Sequence, residues 1–277
     1  MIDGDLITQT DYTEGQREAA RRVLIEVGNV LHDYWENILV VGGWVPELLF
    51  PAQDHIGSVD VDLLLNHQRL VDASYATIEK ILKDNGYKTH PEKYFSFVRE
   101  IEIAGQIYKV DLDILAGTYG GTSKEKRSQH IQGIKALKAT GGNFAFETSA
   151  NIITLKAKRP DGAEDTAHIR VVSIMAFLVM KAAALGRGKS KDAYDIYFCV
   201  KHWPGGVDEL ARLFEPVRKH GLVSGMCQKL REKFASPEHA GPKDIADFLD
   251  LSDDEEREQQ KRDVFERISR LVDLIEK

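Results

Sequence analysis

The chain has 277 residues, of which 43% are hydrophobic, and a formal net charge of -7. This length accommodates one large domain or two ordinary ones, with enough apolar residues for a substantial core. The negative charge excludes a global attraction to nucleic acid, so any such contact has to be local. Two cysteines, and nine histidines without metal-site spacing, argue against a disulfide framework and a zinc site.

The sequence predicts no membrane association. Its longest apolar run, over 171–185, is interrupted by Ser173 and Lys181 and is too short to cross a bilayer. The N-terminus opens with Asp3 and Asp5 instead of the basic residues that precede a secretory signal. We therefore expect a cytoplasmic protein without a membrane partner.

Apolar spacing in the first third of the chain predicts helices alternating with short buried strands. Thr13 and the polar residues that follow it are a helix-start signal, and Gly42-Gly43 ends the first strand. In chain order, the predicted elements are a helix over 13–35, a strand over 38–41, a helix opening at Trp44, a strand over 59–65 and a helix over 71–85.

The middle of the chain predicts more strands, and the last third predicts helices. A hairpin is expected about Gly105-Gln106, with strands over 95–103 and 107–115, followed by a basic loop over 117–130 that carries Lys124, Lys126 and Arg127. Two short strands are expected over 144–146 and 152–156. The pattern becomes helical after Ser173, with helices predicted over 174–184, 191–201, 207–214 and 255–276.

Asp60 and Asp62 form the most informative motif. They stand two residues apart in a strand-like context, so their side chains point to the same face. Two carboxylates held so close repel each other unless a cation lies between them. Mg²⁺ prefers oxygen ligands and usually binds one or two carboxylates together with substrate phosphates. The motif therefore predicts a metal-bound phosphate site, although an Asp-x-Asp pair also occurs on exposed edge strands.

Neighbouring residues strengthen this prediction. Gly42-Gly43 lets a ligand approach the backbone closely, and Ser58 adds a hydroxyl. The strand predicted over 107–115 carries a second pair, Asp111 and Asp113, although aspartate is disfavoured in strands.

Carboxylates around Mg²⁺, or Mn²⁺, can bind nucleotide phosphates, while one of them accepts a proton from an attacking hydroxyl. We favour Asp113 over Asp111 as the third carboxylate without excluding either, and a solvated strand face explains one of the two equally well. The candidate metal ligands are Asp60, Asp62, Asp111 and Asp113.

A second group of candidate residues lies in the predicted helices after residue 173. Lys181 interrupts an apolar helix, and a partly buried lysine needs an anionic partner or a ligand phosphate. Asp192 and Asp195 lie three residues apart on one helix face, where they could also serve as helix-capping residues. A basic loop nearby is either a solvated turn or a contact for triphosphate or RNA; its residues are Arg187, Lys189 and Lys191.

These motifs resemble those of a known family. Gly42-Gly43, the Ser58-x-Asp60-x-Asp62 run and Asp113 resemble the nucleotidyltransferase fold of the DNA polymerase beta superfamily. The later segments, from Val171 through the Lys181 helix to the Lys191-Asp192-Ala-Tyr-Asp195 run, resemble its AbiEii group. This group includes toxins of bacterial toxin-antitoxin systems such as the MenT type. The resemblance covers roughly residues 20–202.

The resemblance implies a nucleoside triphosphate substrate and Mg²⁺. It assigns Asp60 and Asp62 to metal binding, Lys181 to nucleotide handling and Asp192 or Asp195 to a late acidic motif. Some of these toxins modify the acceptor end of tRNA, and an antitoxin protein is a further expected partner. The chain departs from many relatives in two ways: Ile56, preceded by His55, replaces an arginine, and Ser58 replaces a threonine.

We therefore expect an α/β (α+β) fold, with a nucleotidyltransferase-type mixed sheet flanked by helices over 1–172 and a helical domain over 173–277. The expected reaction transfers a nucleoside monophosphate from a triphosphate to an acceptor hydroxyl, on tRNA or a small hydroxylated molecule, and releases pyrophosphate. The candidate catalytic residues are Asp60, Asp62, Asp113, Lys181 and Asp192, and the candidate nucleotide-binding residues are Gly42, Gly43, Ser58, Lys189 and Asp195.

Two alternatives stay open from the sequence. An antibiotic-modifying nucleotidyltransferase has a similar Gly-Trp and Asp-x-Asp pattern. An acidic pocket would favour a cationic aminoglycoside, whereas a basic groove near Arg127 or Lys189 would favour tRNA. A catalytically silent protein could keep the fold for nucleotide sensing or partner binding, although four aspartates in the predicted strands argue against it.

Overall fold

The computed structural model describes residues 7–70, 77–118 and 128–277. The chain divides into two compact units. The sheet unit comprises Thr13–Leu49 and Gly57–Ala176. The helical unit comprises Met1–Tyr12, described from residue 7, together with Phe50–Ile56 and Phe177–Lys277. The domain boundary expected between residues 172 and 173 stays a prediction.

Within the described ranges, the sheet unit contains a mixed sheet of nine strands, which confirms the predicted fold class. The strands are β1 (Ile38–Val41), β2 (Val61–Leu65), β3 (Lys88–Thr89), β4 (Ser96–Ile103), β5 (Gln106–Thr118), β6 (Ser128–Ile131), β7 (Ile134–Thr140), β8 (Asn151–Lys158) and β9 (Glu164–Val171). The main path runs β3-β4-β5-β2-β1-β9-β8, and β7 pairs with both β5 and β6.

The inner strand β1 is apolar along its whole length. β1 is buried along its whole length, and it pairs antiparallel with β2 and parallel with β9. The helices of this unit are α1 (Glu14–Val30), α2 (Val45–Leu49), α3 (Ile78–Asp84) and α4 (Gly142–Glu147). Because α1 contacts β4, β5, β8 and β9, its apolar face forms one side of the core.

The start of α1 matches the sequence prediction. Thr13 and Gln16 form a capping box, in which the Thr13 hydroxyl accepts from the Gln16 backbone at 3.4 Å and the Gln16 side chain accepts from the Thr13 backbone at 3.1 Å. The helix ends at Val30, earlier than the predicted Trp35, and a 3₁₀ helix over His32–Asn37 follows. The apolar spacing therefore predicted the start of this helix better than its end.

The strand predicted over 144–146 is wrong, because these residues lie in α4. Gly141 has a φ of 82°, a left-handed conformation that starts the helix. Gly142 and Gly117 pack closely, since a Cβ atom on Gly117 would lie 2.6 Å from the Asn143 backbone nitrogen. Four strands were not predicted: β3, β6, β7 and β9. Part of the predicted loop over 117–130, including Lys124, Lys126 and Arg127, lies outside the described residues.

The helical unit contains the helices predicted after Ser173, together with two that were not predicted. Its helices are α5 (Ile174–Ala184, from Phe177 onward), α6 (Ser190–His202), α7 (Gly206–Arg212), α8 (Gly221–Lys233), α9 (Ala240–Phe248) and α10 (Asp254–Glu276), of which α8 and α9 are the unpredicted pair. α10 contacts α6, α7, α8 and α9, so it is the central helix of this unit. Among the described residues, no helix is both long enough and apolar enough to cross a membrane.

Candidate active site

The strand register brings the predicted carboxylates of the sheet unit onto neighbouring strands. β2 and β5 pair in parallel, with Asp62 directly beside Asp113. Because side chains alternate along a strand, Asp111 shares the face of Asp113. Asp60 immediately precedes β2, at the end where the chain enters the strand. The four aspartates that the sequence singled out are therefore grouped on one region of the sheet.

Asp60 is fixed by contacts to its side chain and to its backbone. The Ser58 hydroxyl donates to Asp60 Oδ1 at 2.5 Å, and the Trp44 indole N–H donates to the Asp60 carbonyl at 2.8 Å. Trp44 is buried, so its ring holds this segment in one position. The serine predicted to line the phosphates thus also orients the first carboxylate.

Gly42 lies against the carboxylate of Asp62. Its φ is 71°, and a Cβ atom at this position would lie only 1.9 Å from Asp62 Oδ2. Gly42 and the buried Gly43 form a 3₁₀ turn with Trp44, which connects β1 to α2. A side chain at Gly42 would occupy the space of the Asp62 carboxylate, which explains why the sequence places glycine there.

Asp113 has the properties of a proton acceptor. Burial, followed by the charges of Asp60 and Asp111, raises its pKa from 3.8 to about 6, against the opposing effects of Ser96 and Lys93. Its Oδ1 atom is buried and has no hydrogen-bond partner among the described residues. A carboxylate with this pKa is largely ionised near neutral pH and is still basic enough to take a proton.

Asp111 differs from Asp113 in its surroundings. Lys93 Nζ donates to Asp111 Oδ2 at 2.6 Å, and His90 Nε2 lies 3.8 Å from the same oxygen. The Asp111 carboxylate therefore has a lysine as its ion-pair partner, whereas Asp113 has a buried oxygen without a hydrogen-bond partner in the part of the chain that the structure describes. Sequence reasoning missed Lys93, because nothing in the local pattern connects it to a strand residue 18 positions away.

The helical unit contains a second cluster, built around Lys181. Lys181 Nζ donates to Asp192 Oδ1 at 2.7 Å and lies 2.8 Å from Asp195 Oδ2. All three side chains are buried. Burial alone would lower the pKa of Lys181, but Asp195 and Asp192 raise it above its ordinary value. Two of the three ammonium donors therefore serve carboxylates, so Asp192 acts as an ion-pair partner and not as a helix cap.

Asp195 has two further partners in this unit. Lys191 Nζ lies 2.9 Å from Asp195 Oδ1, and His55 Nε2 lies 3.0 Å from the same oxygen. Burial would raise the pKa of Asp195, but Lys181, Lys191 and His55 together hold it well below its ordinary value. Sequence reasoning did not connect His55 with Asp195, because the two residues lie 140 positions apart in the chain.

A family model described as "Nucleotidyl transferase AbiEii toxin, Type IV TA system" matches residues 57–277. The chain belongs to the AbiEii family. It is a nucleotidyltransferase, and its family comprises toxins of type IV toxin-antitoxin systems. No curated protein and no solved structure gave a match to this chain. The match contains the aspartates of the sheet unit and the Lys181 cluster, whereas Gly42 and Gly43 precede it.

The oxygen ligands of this AbiEii protein fit a hard divalent cation. Among the described residues, no group of three or more histidine, cysteine, aspartate or glutamate side chains is arranged to hold a metal ion. Mg²⁺ does not require such a group, since it commonly binds one or two carboxylates and completes its shell with water and substrate phosphates. The carboxylates of Asp60 and Asp62 are oxygen donors of this chemical type, and the Oδ1 atom of Asp113, which has no hydrogen-bond partner among the described residues, lies on the strand beside Asp62.

The remaining predicted residue of this AbiEii protein, Lys189, is exposed. It precedes α6, and its carbonyl accepts from the Asp192 backbone at 3.1 Å. Arg187, also exposed, donates to Asp192 Oδ2 at 3.1 Å. Of the three cations of the basic loop, Arg187 and Lys191 thus pair with the buried cluster, whereas Lys189 is exposed.

Proposed function

We propose that this protein transfers a nucleoside monophosphate from a nucleoside triphosphate to an acceptor hydroxyl, with Mg²⁺ held by Asp60 and Asp62 and with Asp113 as the proton acceptor. The observation that carries the proposal is the parallel register of Asp62 and Asp113, together with the raised pKa of Asp113. Mn²⁺ has the same preference for carboxylate and phosphate oxygens and could replace Mg²⁺.

The proposed reaction is a single displacement. The acceptor hydroxyl oxygen attacks the α-phosphorus, the bond between this phosphorus and the bridging oxygen to the β-phosphate breaks, and pyrophosphate leaves. Asp113 accepts the hydroxyl proton, because its carboxylate has a pKa of about 6 and a buried oxygen available to receive it. When bound, Mg²⁺ supplies positive charge that offsets the negative charge of the transferred group.

The other candidate residues have supporting roles in this proposal. Gly42, Gly43 and Ser58 line the phosphates at the turn beside the Asp60 segment. In the helical unit, the role we propose for Lys181, Asp192 and Asp195 is a buried ion-pair framework, and Lys189 is an exposed basic residue just before α6.

We further propose that the acceptor is the end of a tRNA. Tyr94 is 42% exposed, and Lys135 Nζ lies 4.6 Å from the centroid of its ring. Tyr94 stands two residues before Ser96, which pairs with Asp113 in the strand register. An exposed aromatic ring with a cation beside it can stack on an unpaired base and attract the adjoining phosphate. A cationic aminoglycoside would gain nothing from this lysine.

A direct assay tests both parts of the proposal. The protein is incubated with each labelled nucleoside triphosphate, Mg²⁺ and a total tRNA pool, and the label is then located. Label on tRNA supports the proposed acceptor, whereas label on an added aminoglycoside would support the antibiotic-modifying alternative. A cognate antitoxin, which the type IV family suggests as a partner, should relieve toxicity of the active protein in cells.

The key variant is Asp60→Ala, which removes one proposed metal ligand. We expect Mg²⁺-dependent transfer to disappear while the circular dichroism spectrum is unchanged. Asp84→Ala is a matched control, because the Asp84 side chain is 60% exposed on α3 and pairs only with Lys80 in the described contacts. Retained transfer in Asp60→Ala would show that the carboxylate assignment is wrong.

A further inference from the structure

Two arginines of the sheet unit, Arg17 and Arg21, lie near a single carboxylate, that of Glu47. Arg17 and Arg21 lie one turn apart on α1, so they share one face of the helix. Arg21 pairs with Glu47, and its guanidinium lies 5.5 Å from the centre of the Trp44 ring. Glu18, the residue next to Arg17 on α1, pairs with Arg22 at 2.8 Å. We call Arg17 and Arg21 the arginine pair.

Within the described ranges, Arg17 is the member of the arginine pair that makes no ion pair. Its Nε atom is buried and makes no hydrogen bond to any residue in the described part of the chain. It also belongs to the first turns of α1, where the positive end of the helix dipole disfavours a cation. A half-buried guanidinium without an anion is unfavourable, so the position indicates a ligand that brings negative charge.

The arginine pair adjoins the chain segment that carries the first carboxylate. Arg17 Cδ lies 3.8 Å from where a Cβ atom on Gly57 would stand, and Gly57 has a φ of 73°. Gly57 directly precedes Ser58, whose hydroxyl binds Asp60. On the other side, the Trp44 ring beneath Arg21 donates to the Asp60 carbonyl. Arg17 is thus connected to Asp60 through the Gly57-Ser58 turn, and Arg21 is connected to it through the Trp44 ring.

Charge and shape identify the class of ligand. Burial lowers the pKa of Arg21, the charge of Glu18 opposes this effect, and the neighbouring charge of Arg17 adds to it, so the two guanidiniums repel each other. Guanidinium groups match phosphate oxygens with paired donors, and such bonds are stronger than those between neutral groups. An uncharged sugar or base would leave the surplus charge unbalanced. The expected ligand is therefore a phosphate group.

We propose that Arg17, supported by Arg21, binds the β- and γ-phosphates of the incoming nucleoside triphosphate. This inference rests on the proposed nucleotidyl transfer and adds to it a residue that distinguishes triphosphates from monophosphates. These two phosphates leave together as pyrophosphate, so Arg17 also balances the charge that develops on the leaving group.

The test compares two ligands that contain a triphosphate chain with one that lacks the β- and γ-phosphates. Calorimetry in the presence of Mg²⁺ measures the binding of a non-hydrolysable nucleoside triphosphate, the matching monophosphate and inorganic tripolyphosphate. For Arg17→Ala, we expect triphosphate and tripolyphosphate affinity to fall by about tenfold or more, because a charge-assisted phosphate contact is lost, while monophosphate affinity stays within about twofold. Arg17→Lys should recover part of the loss because it keeps the charge. Arg22→Ala is the matched control, since Arg22 pairs with Glu18 on the same helix.

Three results would overturn the proposal. Unchanged triphosphate binding in Arg17→Ala would exclude the contact, and an equal loss for all three ligands would indicate a purely structural role. If the unaltered protein binds the monophosphate and tripolyphosphate but transfers no nucleotide, the proposed function fails while the phosphate site stands. If the unaltered protein binds none of the ligands, both proposals fail. Arg17→Lys keeps the test decisive if Arg17→Ala does not fold.

Discussion

Asp113→Asn should stabilise the protein near neutral pH while abolishing transfer. Burial, and next the charges of Asp60 and Asp111, raise the pKa of Asp113 from 3.8 to about 6, so the folded protein disfavours the ionised form. Asparagine has nearly the same shape and carries no charge. It therefore removes an unfavourable buried charge that the proposed reaction requires, and stability and activity should change in opposite directions.

The size of the expected stability gain follows from the pKa of Asp113 in the unfolded and in the folded protein. Each tenfold change in a protonation equilibrium is worth about 1.4 kcal/mol, so a pKa raised from 3.8 to about 6 corresponds to about 3 kcal/mol. Between these pH values the folded state binds more protons than the unfolded state, so the free energy of unfolding falls as pH rises through this window. The unfavourable contribution is complete above the folded pKa and absent below the unfolded pKa.

Urea denaturation with EDTA present measures this effect without bound metal. The gain for Asp113→Asn over the unaltered protein should approach about 3 kcal/mol near about pH 8 and shrink toward zero near about pH 4. Asp111→Asn is the control: because Lys93 pairs with Asp111 and is 36% exposed, removing this carboxylate should give no such gain. An equal gain at both pH values, or none at the higher pH, would refute the reasoning.

Two further substitutions test the geometry of each unit. Gly42→Ala should abolish transfer without unfolding the protein, because a Cβ atom would lie 1.9 Å from Asp62 Oδ2. Gly105→Ala is the control and should stay active in the same assay, since Gly105 has a similar positive φ and open space around it. Lys181→Met should lower the free energy of unfolding, measured by urea denaturation, by about 3 kcal/mol, because it leaves two buried carboxylates with fewer partners. Lys229→Met is the control and should change the urea midpoint little, because Lys229 is exposed.

The sequence predicted the elements that carry the carboxylates, because their local signals are strong. The apolar run of β1 is bounded by Gly42-Gly43, and the alternating pattern about Gly105 marks a hairpin. Local pattern could not predict which strands are neighbours. The parallel pairing that sets Asp62 beside Asp113 joins residues 51 positions apart, and it depends on the packing of the whole sheet.

The helices that sequence reasoning missed have atypical starts. α9 opens with Ala240-Gly241-Pro242, residues that usually indicate a turn, yet proline is tolerated in the first turn of a helix. Gly241 is required there, because a Cβ atom would lie 2.5 Å from the ring of Phe234. α8 contains Gly221 and Gly225, which weaken its helical signal. Tertiary packing therefore determines both helices more than intrinsic propensity does.

The sheet unit has an excess of negative charge near β2 and β5 and an excess of positive charge on α1. A triphosphate with its bound metal ion carries the opposite charge for each of these two regions. Near β2 and β5, the charge of Asp60 contributes to the raised pKa of Asp113, which indicates carboxylates that outnumber their cations and require a positive ion. On α1, Arg17 has no described partner and requires an anion. The Gly57–Asp60 segment lies between the carboxylates and Arg17. A phosphate chain with a bound cation would therefore balance the negative charge of the carboxylates and the positive charge of Arg17 together. The Lys181 cluster differs, because its lysines already pair with its own carboxylates, which makes it a framework and not a vacant phosphate site.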